Sequence, residues 1–185
     1  MLRGIDVSSY QSSSYDTDGI SFVFIKATEG RTYTNPKLAA QTKTARDAGL
    51  IVGHYHFLWP GNLTAQAEYF VSKAPERAGD ILAVDWETTG DGTHATNAEK
   101  DRFIRKLKEL RPNNRVALYC NRNFWLNIDK TSYAGDALWI ADYVTAGKPR
   151  IKAKWLFHQY TDDPVDKNVA DFASKADLRA WAANA

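Results

Sequence analysis

Phe22-Val23-Phe24-Ile25-Lys26-Ala27 is apolar throughout except for one lysine, with no alternation of apolar and polar residues. A strand of this kind must be covered on both faces, as strands of a parallel sheet are when helices pack over them. Working outward, residues 4–7, 51–57, 81–86, 116–119, 137–141 and 155–159 form six further β-rich apolar runs. Between them the spacing turns helical. The spacing predicts a helix over 36–48, with Asn35 as N-cap, Pro36 in the first helical position and Gly49 past the end. Residues 63–73 and 97–110 read as two more helices, the second capped by Thr96 or Asn97 and followed by Pro112. This β-α-β-α order predicts an α/β fold with a largely parallel sheet. An irregular barrel is favoured over an open sheet, because no glycine-rich phosphate loop follows any strand. With no internal repeat or linker, residues 1–185 read as a single domain.

Composition narrows the function. The net charge of +2 is too small to argue for nucleic-acid binding, and no run of about 18 apolar residues exists to enter a membrane. The start, Met1-Leu2-Arg3-Gly4-Ile5-Asp6-Val7, lacks the apolar core of a secretory signal. Synthesis in the cytoplasm is therefore expected, unless the sequence is a trimmed mature form. The single cysteine, Cys120, follows the apolar run 116–119 and reads as a buried strand residue. His54 and His56 lack a third ligand at zinc-like spacing, so no metal and no cofactor are expected.

In such a barrel the catalytic groups come from the carboxyl ends of the strands. Asp6 closes one apolar run, Glu29 follows another, and Asp85 and Glu87 close Ile81-Leu82-Ala83-Val84-Asp85-Trp86-Glu87. Asp166 is placed in a loop after the last expected strand. Residues two apart on a strand share a face, so Asp85 and Glu87 should enter one cleft while Trp86 packs on the other side. Two close carboxylates separate their proton affinities, the division that glycosidic cleavage needs. Glu87, on the longer arm, is the expected acid, and Asp85 the expected ionised partner. Tyr55, Tyr119, Tyr143 and Gln159 lie near strand ends and are expected to bind a sugar substrate; Trp139, Trp155 and Trp181 are assigned to the core. Lys26, in an apolar strand, should pair with an acid such as Asp6 or Glu29 as structural support.

An ordered series of segments then resembles the glycoside hydrolase family 25 (Chalaropsis-type) lysozymes. It runs from Gly4-Ile5-Asp6-Val7-Ser8-Ser9-Tyr10-Gln11 through residues 22–30 and the stretch from Tyr33 to Gly49 to Gly53-His54-Tyr55-His56-Phe57. Leu82-Ala83-Val84-Asp85-Trp86-Glu87, Leu118-Tyr119, Leu138-Trp139-Ile140-Ala141-Asp142-Tyr143 and His158-Gln159-Tyr160 complete it. The resemblance implies a TIM-like (β/α) barrel with fewer helices than strands. It implies hydrolysis of the β-1,4 bond between N-acetylmuramic acid and N-acetylglucosamine of bacterial peptidoglycan. By match, Glu87 is the acid/base, and Asp85, Asp6 and Asp166 are supporting carboxylates. The nucleophile is either the sugar's 2-acetamido group or a carboxylate. The segment from Tyr160 to Asn168 is shorter than the family's usual loop, which leaves Asp162 and Asp171 as alternatives to Asp166. A monomer acting at the wall, in the manner of a phage endolysin released through a holin pore, is expected. The rivals are a chitinase-like glycosidase and a catalytically silent wall-glycan-binding module.

Overall fold

The computed structural model describes residues 1–184. In chain order the elements are β1 (Leu2–Val7), β2 (Phe22–Glu29), β3 (Tyr33–Thr34), α1 (Leu38–Asp47), β4 (Ile51–Phe57), α2 (Leu63–Lys73) and β5 (Ile81–Asp85). They continue with α3 (Asn97–Leu110), β6 (Arg115–Asn121), a π-helical turn (Phe124–Ile128), β7 (Ala137–Ala141), β8 (Phe157–Thr161), β9 (Asp166–Ala170) and α4 (Lys175–Ala183). The sheet runs β1-β9-β8-β7-β6-β5-β4-β2, and pairing of β1 with β2 closes it into a barrel. β9 is antiparallel to both of its neighbours; the other barrel strands run parallel to one another. Strand β3 hangs on β2 outside the ring.

Alternation along the strands sorts the side chains into two populations. Phe22, Phe24, Ile51, Ile81, Ala83, Ala117, Trp139, Phe157 and Ala170 fill the barrel, joined from below by Leu178 and Ala182 of α4. Their neighbours face outward: Val23, Ile25 and Val52 against Ala45 of α1, and Leu82, Val84, Val116 and Leu118 against α2 and α3. Both faces of β2 are thus buried, which is why its sequence does not alternate. Barrel filling depends on size matching between strands. Gly53 on β4 sits beside Phe24 on β2, and a Cβ there would overlap the Phe24 ring. The space that the glycine leaves lets Phe24 stack on Trp139, with ring centroids 4.1 Å apart.

Several elements depart from the expectation. The loop assigned to Asp166 is strand β9. It escapes an apolar pattern because its inward residues, Asp166 and Asn168, face a polar part of the barrel. Asn35 is no N-cap: helix α1 starts at Leu38 without a side-chain cap, while buried Asn35 donates to Lys26 O and Gln41 Oε1. The last parallel strand begins at Phe157, leaving Trp155 half-buried before it, and Trp181 is likewise only half-buried. Helices α2 and α3 have the predicted limits, and Thr96 with Glu99 forms a reciprocal capping box. Among the described residues, four α-helices and one π-helical turn accompany nine strands.

Candidate active site

The inward-facing stripe turns polar at one end of the barrel. Asp6, Lys26, Tyr55, Asp85, Tyr119, Trp139, Gln159 and Asp166 line a cleft of about 190 Å³ there, with Ser8, Tyr10, Phe57 and Glu87. It lies at the carboxyl ends of the parallel strands. The reversal of β9 matters here, because an antiparallel strand brings its first residue, Asp166, to the same end, in register with Asp6.

Trp86 fixes the direction of its two neighbours. Its backbone N–H donates to Tyr119 O at 2.9 Å, which extends the β5–β6 ladder by one bond beyond Asp85. The indole is fully buried on the outer side, donates to Ala95 O at 2.8 Å and meets Phe124 edge to face. With the tryptophan held outward, Asp85 and Glu87 face the cleft together. Both carboxyls line the same cleft, two residues apart on one strand end. Burial, then the charge of Glu87, push Asp85 well above the usual carboxylate range; burial also raises Glu87. Both members of the pair are thus held above the usual carboxylate range, Asp85 further than Glu87. No permanent donor among the described residues reaches the buried Oδ1 of Asp85.

A second acidic pair stands opposite. Asp6 is raised by burial and by Asp166, against which its Oδ2 accepts from Gln159 Nε2 at 2.8 Å and Asn168 Nδ2 at 2.9 Å. Gln159 cannot be turned over without loss, because its Oε1 accepts from Tyr119 OH at 2.8 Å and Tyr143 OH at 3.0 Å. Asn168 is oriented by Trp139, whose Nε1 donates to its Oδ1 at 2.7 Å. Tyr55 is buried and Tyr119 partly so, and burial followed by the surrounding carboxylates pushes both phenols up, so they stay neutral donors. Tyr143 stands at the rim, 53% exposed.

The structure therefore gathers Asp6, Tyr55, Asp85, Glu87, Tyr119, Gln159 and Asp166 around one cleft, with Tyr143 at its edge. Asp162 and Asp171 are exposed and line no part of it. Trp139, assigned to the core, is both core and cleft floor. Asn168 and Tyr10 were not singled out as site residues by sequence reasoning. The former lay in an apparent loop, and Tyr10, 93% exposed, carries no pattern of its own. His54 and His56 face away: His56 bonds Thr28 and Gln66, His54 bonds Thr42, and burial pushes both down to about 4.

Comparison with known proteins agrees with this geometry. The pattern of Glycosyl hydrolases family 25 matches residues 5–169. The autolytic lysozyme of Clostridium acetobutylicum is 31% identical over 183 residues, which cover 96% of this chain and 55% of that protein. The chain thus spans about half the length of that relative. An N,O-diacetylmuramidase of Chalaropsis sp. is 32% identical over 153 residues, covering 72% of each. The crystal structure of a bacterial lysozyme from Streptomyces coelicolor superposes with a TM-score of 0.84 at 29% identity, covering 98% of this chain and 96% of that one. A barrel with an acidic cleft at its carboxyl end, together with the family match over residues 5–169, identifies the chain as a member of glycosyl hydrolases family 25.

Proposed function

We propose that this chain is the catalytic part of a peptidoglycan hydrolase, an N-acetylmuramidase that cuts the β-1,4 bond between N-acetylmuramic acid and N-acetylglucosamine. The observation that carries this reading is the Asp85–Glu87 pair, which enters one cleft together at the strand end. Glu87, less buried than Asp85, protonates the glycosidic oxygen as the bond to the leaving sugar breaks. Retaining enzymes with a carboxylate nucleophile keep their two carboxyls about 5 Å apart, on opposite sides of the scissile bond. Asp85 and Glu87 instead extend from the same face of one strand end. This same-side placement, with Asp85 Oδ1 unpartnered among the described residues, supports attack on the anomeric carbon by the substrate's own 2-acetamido oxygen. Asp85 Oδ1 takes the acetamido N–H and stabilises the positive charge that develops there. Water, deprotonated by Glu87, then opens the ring so formed, with net retention.

Asp6 and Asp166 deepen the negative field around the developing oxocarbenium charge, and Gln159, Tyr119, Tyr55 and Tyr143 offer hydrogen bonds and aromatic faces to the sugars. The enzyme acts as a monomer at the bacterial wall, in the manner of an endolysin's catalytic domain, and needs no metal or cofactor. Purified peptidoglycan incubated with the chain, reduced with borohydride and hydrolysed, identifies the new reducing sugar. Muramitol is the expected product. Glucosaminitol alone, activity on chitin only, or no new reducing end would each overturn the reading.

A further inference from the structure

Strand β2 contains an irregularity that brings two oppositely charged residues together. Residues three apart on a regular strand point to opposite faces. The register of β2 against β4 shifts between Lys26 and Thr28, the mark of a bulge, and Lys26 and Glu29 thereby meet at 2.7 Å. Glu29 is gripped on its other oxygen by Trp59 Nε1 at 2.9 Å. Trp59 is itself fixed through its backbone, its N–H donating to Gln66 Oε1 at 3.0 Å and its carbonyl accepting from Gln66 Nε2 at 2.8 Å. The ammonium of Lys26 lies 5.2 Å from the Phe57 ring centre and 5.3 Å from that of Tyr33. Lys26 is the only cationic side chain among the described residues that line the cleft, where it faces four acids.

We infer that Lys26, locked in place by Glu29 and Trp59, is a positioning residue whose charge tunes Glu87 and Asp85 across the cleft. The inference rests on the reading of that pair as the acid of the reaction. The charged and titratable groups that face the pair are Asp6 of β1, Lys26 and Glu29 of β2, Tyr55 of β4, Tyr119 of β6 and Asp166 of β9. All but Lys26 are acidic groups. Burial raises Asp85 and Glu87, and Lys26 opposes that rise on both; Glu29 adds to the rise on Glu87. Burial works against ionisation of Glu29 as well, yet the bonds from Lys26 and Trp59 outweigh it and hold Glu29 below the usual carboxylate range. The bulge therefore supplies a cation already paired, so that its pull on the acid is tempered.

Members of one ion pair should then move the pH profile in opposite directions. Lys26→Met removes the opposing cation and shifts the basic limb of the rate profile up by on the order of one pH unit. Glu29→Gln frees the ammonium and removes an anion, shifting the limb down by less. Lys26→Arg keeps the charge and should hold the limb near that of the unmodified chain. The same quantities are read without turnover by 13C NMR titration of the Glu87 and Asp85 carboxyls in each folded variant. Opposite shifts with rescue by arginine support the inference; any other pattern, including equal shifts or losses of rate without a shift, overturns it. If the chain cleaves no peptidoglycan, the functional reading fails while the carboxyl titration still decides the role of Lys26.

Discussion

Two groups of buried charges lie on either side of Trp86, and they are built on opposite plans. On the cleft side, Asp85 and Glu87 share one cleft with Asp6, Asp166 and one already paired lysine. On the outer side, Lys100 of α3 lies 5.3 Å from the Trp86 ring centre, is wholly buried, and bonds Asp101 at 2.6 Å, Asp129 at 2.8 Å and Tyr133 O at 2.8 Å. Every donor of that ammonium has an acceptor. The matched cluster ties the segment after the π-helical turn to α3 and serves stability. In the proposed function the unmatched one holds the acid of the reaction, at a cost to stability that a purely structural site would not carry.

The sharpest way to break this contrast is to neutralise one member of each group. Glu87→Gln should lower the rate of wall hydrolysis roughly 10³-fold, within the usual range for loss of a general acid, while the protein stays folded. Reducing-end assays beside a thermal melt check both halves. Lys100→Met leaves Asp101 and Asp129 buried without their cation and should cost about 3–5 kcal/mol in urea unfolding, with hydrolysis per folded molecule kept.

A pH series sharpens the comparison further. Asp85 and Asp6 have folded pKa values raised above their unfolded ones. The relative stability they give is fully present below about pH 4 and is lost as pH rises through the raised folded values. Urea midpoints of the unmodified chain should therefore fall relative to Asp85→Asn as pH is raised above 4. A difference that stays flat, or one that grows in the other direction, would mean that the cleft acids are not held protonated. Least in size, Thr96→Ala removes the cap of the helix that carries Lys100 and should cost about 1 kcal/mol without touching the rate.

The parallel strands and the helices α2 and α3 were legible because burial on both faces and helical spacing leave marks in the residues themselves. The pairing of Asp85 with Glu87 was legible for the same reason, since strand geometry alone puts them on one side. Strand β9 was not, because Asp166 and Asn168 owe their inward position to partners on β1 and β7 that lie far away in sequence. Neither was the bulge at Lys26. A register shift depends on the neighbouring strand, so the sequence showed a lysine in need of an acid but not how the two would meet. The start of α1 was misplaced by two residues: Asn35 Oδ1 does accept from the Lys37 N–H at 2.9 Å, but it closes a turn ahead of the helix, which begins only at Leu38.

The central claim is that Glu87 acts in chemistry and not in holding the fold. It is tested most directly by measuring hydrolysis and urea stability together, in one buffer, for the unmodified chain and Glu87→Gln. Hydrolysis should be lost while the unfolding midpoint is equal or higher, since a repelling carboxylate has been removed. Hydrolysis at the unmodified rate, or a loss of hydrolysis that follows unfolding of the variant, would contradict it.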